Sequence, residues 1–266
     1  MTVSEDYLEI NRKSWNTKVD SHVQSDFYNL KGFLKGESSL NPIELALLGE
    51  VKGKSILHLQ CHFGQDTISL ARLGAKVTGV DLSDKAIEKA KSIAQQTDSD
   101  ALFICCDIYD LPNHLNKQFD IIFTSYGTIG WLPDMNKWAK VVSKFLKPKG
   151  EFVFVEFHPV VWMFDDDFEK IIYNYFNSVP IIETENGTYA DKNAKITQKY
   201  VSWNHSISDV VNSLIKYGLE IKRFDEFDYS PYNCFNKAIE IEPKKYRIEH
   251  LENKIPMVFA IKAQKK

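Results

Sequence analysis

The chain has 266 residues, 44% hydrophobic and 26% charged, and its 33 basic and 36 acidic side chains leave a net charge of −3. That length supports one α/β domain with an elaboration. The charge balance argues against a dedicated nucleic-acid binder, which needs a cationic face to neutralise phosphates.

In chain order, the opening MTVSEDYLEI lacks the basic-then-apolar pattern of a secretory signal, and no apolar run approaches transmembrane length. Neither nucleic acid nor membrane is therefore expected as a partner. Residues 1–50 read as a helical segment or lid, punctuated by Gly32, Gly36 and Pro42 and enriched in aromatics (Trp15, Phe27, Tyr28, Phe33). Residues 51–266 read as the main domain. Its first strand is expected over 55–61, then a loop with Gly64, then a helix over 66–73 stopped by Gly74. A second strand over 76–81 ends in Asp81, and Ser83 caps a helix running to about Gln96. Strands over 101–108, 119–126 and 151–158 follow, with a helix over 136–145 terminated by LKPKG. This alternation predicts a parallel sheet covered by helices on both faces. Near-continuous apolar runs such as DIIFTSY and EFVFVEF fit strands buried on both sides.

The regularity breaks at 159–204, an aromatic-rich insertion whose middle reads as extended runs around polar turns, a hairpin pattern. Alternation returns with a helix over 206–217 and a strand over 219–227. A last strand over 256–263 is expected to pair antiparallel at the sheet edge. Four cysteines (Cys61, Cys105, Cys106, Cys234) show no metal-ligand spacing, and adjacent Cys105 and Cys106 suit a disulfide poorly, so a reduced, cytoplasmic setting is expected. No metal is expected either, the run Asp165 to Asp167 reading as a solvated loop.

The stretch ILHLQCHFGQDT followed by KVTGVDLS has the layout of a nucleoside-binding unit. An apolar strand ends in a tight loop whose backbone can approach a ligand, and the next strand ends in an acid that can accept hydrogen bonds from ribose hydroxyls. With GVDLSDKAIEKA, CCDIYDLP, FDIIFTSYGTIGWLP and LKPKGEFVFVE in this order and spacing, the chain resembles the class I S-adenosylmethionine-dependent methyltransferases. The resemblance covers residues 54–158 with the closing helix and two strands. It implies a Rossmann-like α/β fold with a seven-stranded, mostly parallel sheet whose last strand is antiparallel. It implies S-adenosyl-L-methionine as cofactor, with Asp81 and Leu82 at the ribose and Asp107 and Ile108 at the adenine.

The first loop departs from the family pattern, which has an acid in the strand and two or three glycines after it. Here those positions hold His58, Gln60 and His62, and only Gly64 remains. Gln60, Cys61 and His62 are expected to offer backbone groups, their side chains turned aside or filling the pocket. His58 reads as a hydrogen-bonded core histidine. The site is expected beyond the carboxyl ends of the first, fourth and fifth strands, adding Ser125, Tyr126, Gly127 and Glu156 to the lining. Trp131 fits against the adenine or as a wall of the acceptor space.

The acceptor pocket is expected from the N-terminal segment and the insertion, with Tyr28, Trp162, Trp203 and His205 as candidates. His158, His205 and Tyr126 are the candidate catalytic groups, the histidines serving as a base where the acceptor must lose a proton. The leading reading is methyl transfer to a small-molecule acceptor, with the N-terminal segment and the insertion as candidate contacts of a homodimer. The alternative is a non-catalytic or regulatory protein that binds S-adenosylmethionine. A nicotinamide-dependent dehydrogenase is disfavoured, since one glycine falls short of G-x-G-x-x-G.

Overall fold

The computed structural model describes residues 6–177 and 179–266; residues 1–5, which open the segment read for a signal pattern, lie outside it. The strands that build the central sheet are β1 (Ser55–Leu59), β2 (Lys76–Asp81), β3 (Leu102–Cys105), β4 (Phe119–Ser125) and β5 (Leu146–Phe157). An outlying hairpin is formed by β6 (Ile181–Asn186) and β7 (Thr197–Ser202). After β8 (Leu219–Phe227), a second small hairpin, β9 (Ala238–Glu242) and β10 (Lys245–Ile248), precedes β11 (Val258–Lys265). The seven-stranded sheet runs in the order β3-β2-β1-β4-β5-β11-β8.

β1 to β5 are mutually parallel where they pair, and β11 runs antiparallel to both its neighbours. The last strand is antiparallel as expected, but it does not form the sheet edge where the sequence reading placed it. It inserts between β5 and β8, and its burial shows why: Val258 to Ile261 are inaccessible to solvent, whereas β8 carries exposed charge on alternate residues. A charged, half-exposed strand blunts a sheet edge, and an apolar one needs cover on both sides.

Helices α1 (Asp6–Gln24), α2 (Leu30–Leu34) and α3 (Pro42–Leu48) precede the sheet. α4 (Gln65–Arg72), α5 (Asp84–Gln96), α6 (Leu111–His114), α7 (Met135–Phe145) and α8 (Ile207–Lys216) cover its faces. Ser83 and Ser206 cap α5 and α8 by accepting from Ala86 N and Asp209 N. Trp138 of α7, fully buried, packs on Phe152 and Phe154 at ring distances of 5.5 and 5.4 Å.

Two further boundaries differ from expectation. The third strand, expected to reach Ile108, ends at Cys105, and Ile108 opens a 3-10 turn. The LKPKG segment does not merely stop α7; Leu146 already pairs with Phe119, and the register shifts before Ile121 meets Glu151. Between β3 and β4 the chain returns across the sheet to lie beside β1, so the strand order reverses between β1 and β4. Ligands bind at such a reversal, outside the carboxyl ends of the strands.

Candidate functional site

A cavity of about 1110 Å³ opens at this reversal point. Its floor is the ends of β1, β2, β4 and β5, and its walls come from α1, the insertion and the connection between β8 and β11. The volume exceeds that of most single-ligand clefts and suits two adjacent ligands.

The loop after β1 keeps the backbone of a glycine-rich turn without the glycines. Gln60 and His62 both lie in the left-handed region, at φ 55° and 49°, which costs a non-glycine residue roughly 1–2 kcal/mol each. Their side chains are held away from the turn they form. Gln60 Nε2 donates to Thr128 O at 2.7 Å. His62 lies among aromatics, its ring 5.3 Å from Trp15, 5.4 Å from Tyr28 and 4.3 Å from Phe63. Cys61 is buried, and its N–H donates to Val80 O, tying the loop to β2. Gly64 has φ 81°, and a Cβ there would meet the Phe103 ring at 2.6 Å, so packing as well as backbone conformation requires the glycine.

Asp81 ends β2 with its carboxylate held by two backbone donors. His62 N donates to Oδ2 and Ser83 N to Oδ1, each at 2.8 Å. One donor on each oxygen leaves lone pairs on both for a ligand. Burial pushes its pKa up to about 6, opposed by those N–H groups. Leu82, Asp107 and Ile108 line the cavity beside it, with burial raising the Asp107 pKa.

Opposite lie Ser125, Tyr126 and Gly127. Tyr126 takes φ 42° and donates its hydroxyl proton to Glu44 Oε2 at 2.8 Å. Glu44 is fully buried, its pKa raised to about 7 by burial and by Asp66. Glu156 is a structural acid: it accepts from the N–H groups of Gly127, Thr128, Ile129 and Phe157 and from Thr128 Oγ1. It therefore fixes the turn after β4.

The three candidate catalytic residues separate. Tyr126 and His205 line the cavity. His158 does not: its Nε2 faces Glu226 Oε1 on β8 at 3.1 Å, and its Nδ1 accepts from Val160 N at 3.2 Å. The sequence placed it correctly at a strand end, but the β8 carboxylate draws the ring to the far side. His205 donates Nε2–H to Leu132 O at 2.7 Å, and burial lowers its pKa, which favours the neutral ring. His58 is a core histidine, its Nδ1 2.8 Å from Thr67 Oγ1 and its pKa lowered to about 3 by burial.

Of the other expected wall residues, Tyr28 shares a short hydroxyl–hydroxyl hydrogen bond with Tyr189. Trp162 stands edge-on to Phe157 and Phe235, and Trp203 packs edge-on to Tyr7 at 5.3 Å. Trp131 also lines the cavity and packs on Trp15. The sequence reading missed Tyr232 and Phe235, which come from the β8–β11 connection, and Lys18, a buried amine over the rings of Trp15, Trp131 and Tyr200. The aromatic SPYNCF turn was the available signal for the former; the i, i+4, i+7 spacing of Asn11, Trp15 and Lys18 on one helical face was the signal for the latter. Among the described residues no group of three His, Cys, Asp or Glu is gathered as for a metal ion, and no helix is long and apolar enough to cross a membrane.

Comparison with known proteins places this geometry in context. A family model described as a methyltransferase domain matches residues 50–232. A ubiquinone biosynthesis O-methyltransferase of Coxiella burnetii is 33% identical over 137 residues, which cover 50% of this chain and 58% of that protein. The chain thus spans little more than half the length of the curated relatives it matches. The structure of an S-adenosylmethionine-dependent methyltransferase from Mesorhizobium loti superposes with TM-score 0.59 at 25% identity, over 87% of this chain and all 100% of that one. One from Clostridium acetobutylicum gives 0.58 at 17% identity over 96% and 98% of the two chains, a likeness of fold.

Proposed function

The chain belongs to the methyltransferase domain family, and we propose that it transfers a methyl group from S-adenosyl-L-methionine to a small-molecule acceptor held in the same cavity. The observation that carries this reading is Asp81, which lines the cavity and is fixed by one backbone N–H on each carboxylate oxygen, leaving lone pairs on both for a ligand. The fit is supported further by Gln60 Oε1, a buried acceptor in the cavity lining with no partner among the described residues.

In this reading Asp81 accepts the ribose hydroxyls, with Leu82 beneath the sugar. Asp107 and Ile108 meet the adenine edge. The backbone of Gln60, Cys61, His62 and Gly64 frames the turn where the nucleoside meets the amino-acid portion, and Ser125 and Tyr126 line the far end. The cofactor supplies an activated methyl group, so the protein need only bind, orient and exclude water. The rings of Trp15, Tyr28 and Trp131 wall the space, and aromatic faces favour a cationic centre by roughly 0.5–2 kcal/mol each. His205, whose neutral form burial favours, is the candidate to take a proton from an acceptor that must lose one; Tyr126, donating its hydroxyl hydrogen bond to Glu44, offers an oxygen lone pair. Residues 1–50 act as the cover, through α1, and 159–204 complete the acceptor wall.

The reading extends to a reducing, cytoplasmic setting, supported by four free cysteines. It also extends to pairing of two copies through the insertion, where Ile171, Ile172 and Phe176 are exposed; light scattering in solution tests that point. The transfer itself is tested by incubating the protein with methyl-labelled cofactor and a metabolite extract. Label in a small-molecule product is expected. Cofactor binding without labelled product in any fraction would favour a non-catalytic binder.

A further inference from the structure

We infer that Asp66 receives the ammonium group of the cofactor's methionine portion. The inference rests on the methyl-donor reading above and deepens it. The sheet order fixes a direction: Asp81 stands at the end of β2, the 60–64 loop at the end of β1, and Ser125 at the end of β4. A nucleoside anchored at Asp81 and crossing the loop must direct its amino-acid portion toward β4. Asp66 faces that end, because its Oδ2 accepts from Ser125 Oγ at 3.3 Å while its Oδ1 accepts from Ser39 Oγ at 2.6 Å.

Its chemistry differs from that of the neighbouring acids. Glu156 is saturated by five donors. Glu44 is engaged by Asn41 N, Asn41 Nδ2 and Tyr126 OH. Asp66 has two serine hydroxyls, which can turn to other acceptors, and no basic side chain within ion-pair distance among the described residues. It nonetheless lines the cavity in the first turn of α4, where burial raises its pKa while the helix dipole and the hydrogen bonds from Ser39 and Ser125 oppose that rise. A carboxylate so placed, with no cation of its own, is a receptor for one. Gln60 Oε1, buried and without a partner, lines the same cavity and supplies a second acceptor. His58, at the strand position where the family pattern has an acid, is committed to Thr67 and carries no negative charge.

The test compares ligands that differ in the ammonium alone. Calorimetry measures S-adenosylhomocysteine, its deaminated analogue and 5′-methylthioadenosine against wild type and Asp66→Asn. A charge-assisted contact predicts that wild type binds S-adenosylhomocysteine on the order of ten-fold or more tighter than the deaminated analogue. Asp66→Asn should lose that factor for S-adenosylhomocysteine and leave 5′-methylthioadenosine unchanged. Equal wild-type affinity for the amino and deaminated ligands would overturn the inference even if the variant fails to fold. So would a variant that keeps the discrimination, or one that weakens all three ligands alike. Wild type binding none of the three would instead sink the methyl-donor reading itself.

Discussion

Single residues in this site are legible by what their polar atoms already hold. His158 is spent on Glu226 and Val160, away from the cavity. We therefore expect His158→Gln to leave affinity for S-adenosylhomocysteine and methyl transfer within about two-fold of wild type, consistent with a residue that does not touch the reacting groups; a loss of a hundred-fold in kcat would restore it to the chemistry. Asp81 gives a pH prediction with a definite sign. Its pKa is raised to about 6, and only the ionised carboxylate accepts from ribose hydroxyls on both oxygens. Affinity for S-adenosylhomocysteine should thus weaken as pH falls through about 6 and level off above 7. Asp81→Asn should lose most of that slope. A dissociation constant flat from pH 5 to 8 in the wild type would count against the assignment. The sequence showed Asp81 and Gly64 because a lone acid at a strand end and a glycine before a helix are local signals. It could not show that Gln60 and His62 adopt left-handed backbone, since that conformation is imposed by the surrounding packing and not by either residue's own preference.

At the scale of elements, α1 is the most testable part of the site. It is joined to β7 by a reciprocal pair: Asn11 Nδ2 donates to Val201 O at 2.8 Å and Val201 N donates to Asn11 Oδ1 at 2.9 Å. Arg12 and Asn16 reach Asp84 on α5. Asn11→Ala would leave both Val201 groups buried without partners, at a cost of about 2 kcal/mol or more. Amide exchange in α1 and in β7 should accelerate together; acceleration in neither would show that the pair does not hold the cover. The alternating strands were readable because their apolar runs are continuous and their turns carry glycine. The position of β11 was not, because an apolar strand of that length can pair at an edge or between neighbours, and only the charged face of β8 decides. The β8–β11 connection escaped the reading altogether, since its Tyr232 and Phe235 acquire meaning only when the fold folds them over the strand ends.

For the whole molecule, the cavity is the place where segments far apart in sequence meet: α1, the strand ends, the insertion and the 228–257 connection. A ligand there bridges them all, so occupancy should stabilise the fold as one unit. S-adenosylhomocysteine at a hundred times its dissociation constant should contribute about 2.7 kcal/mol. For a chain of this size that raises Tm by roughly 5–10 °C. No shift at that concentration would mean that the ligand does not bind the folded protein selectively. The most direct measurement is calorimetric titration of wild type and Asp81→Ala with S-adenosylhomocysteine. The account predicts binding to the wild type and a loss on the order of ten-fold or more in the variant; equal affinity in the two proteins would contradict it.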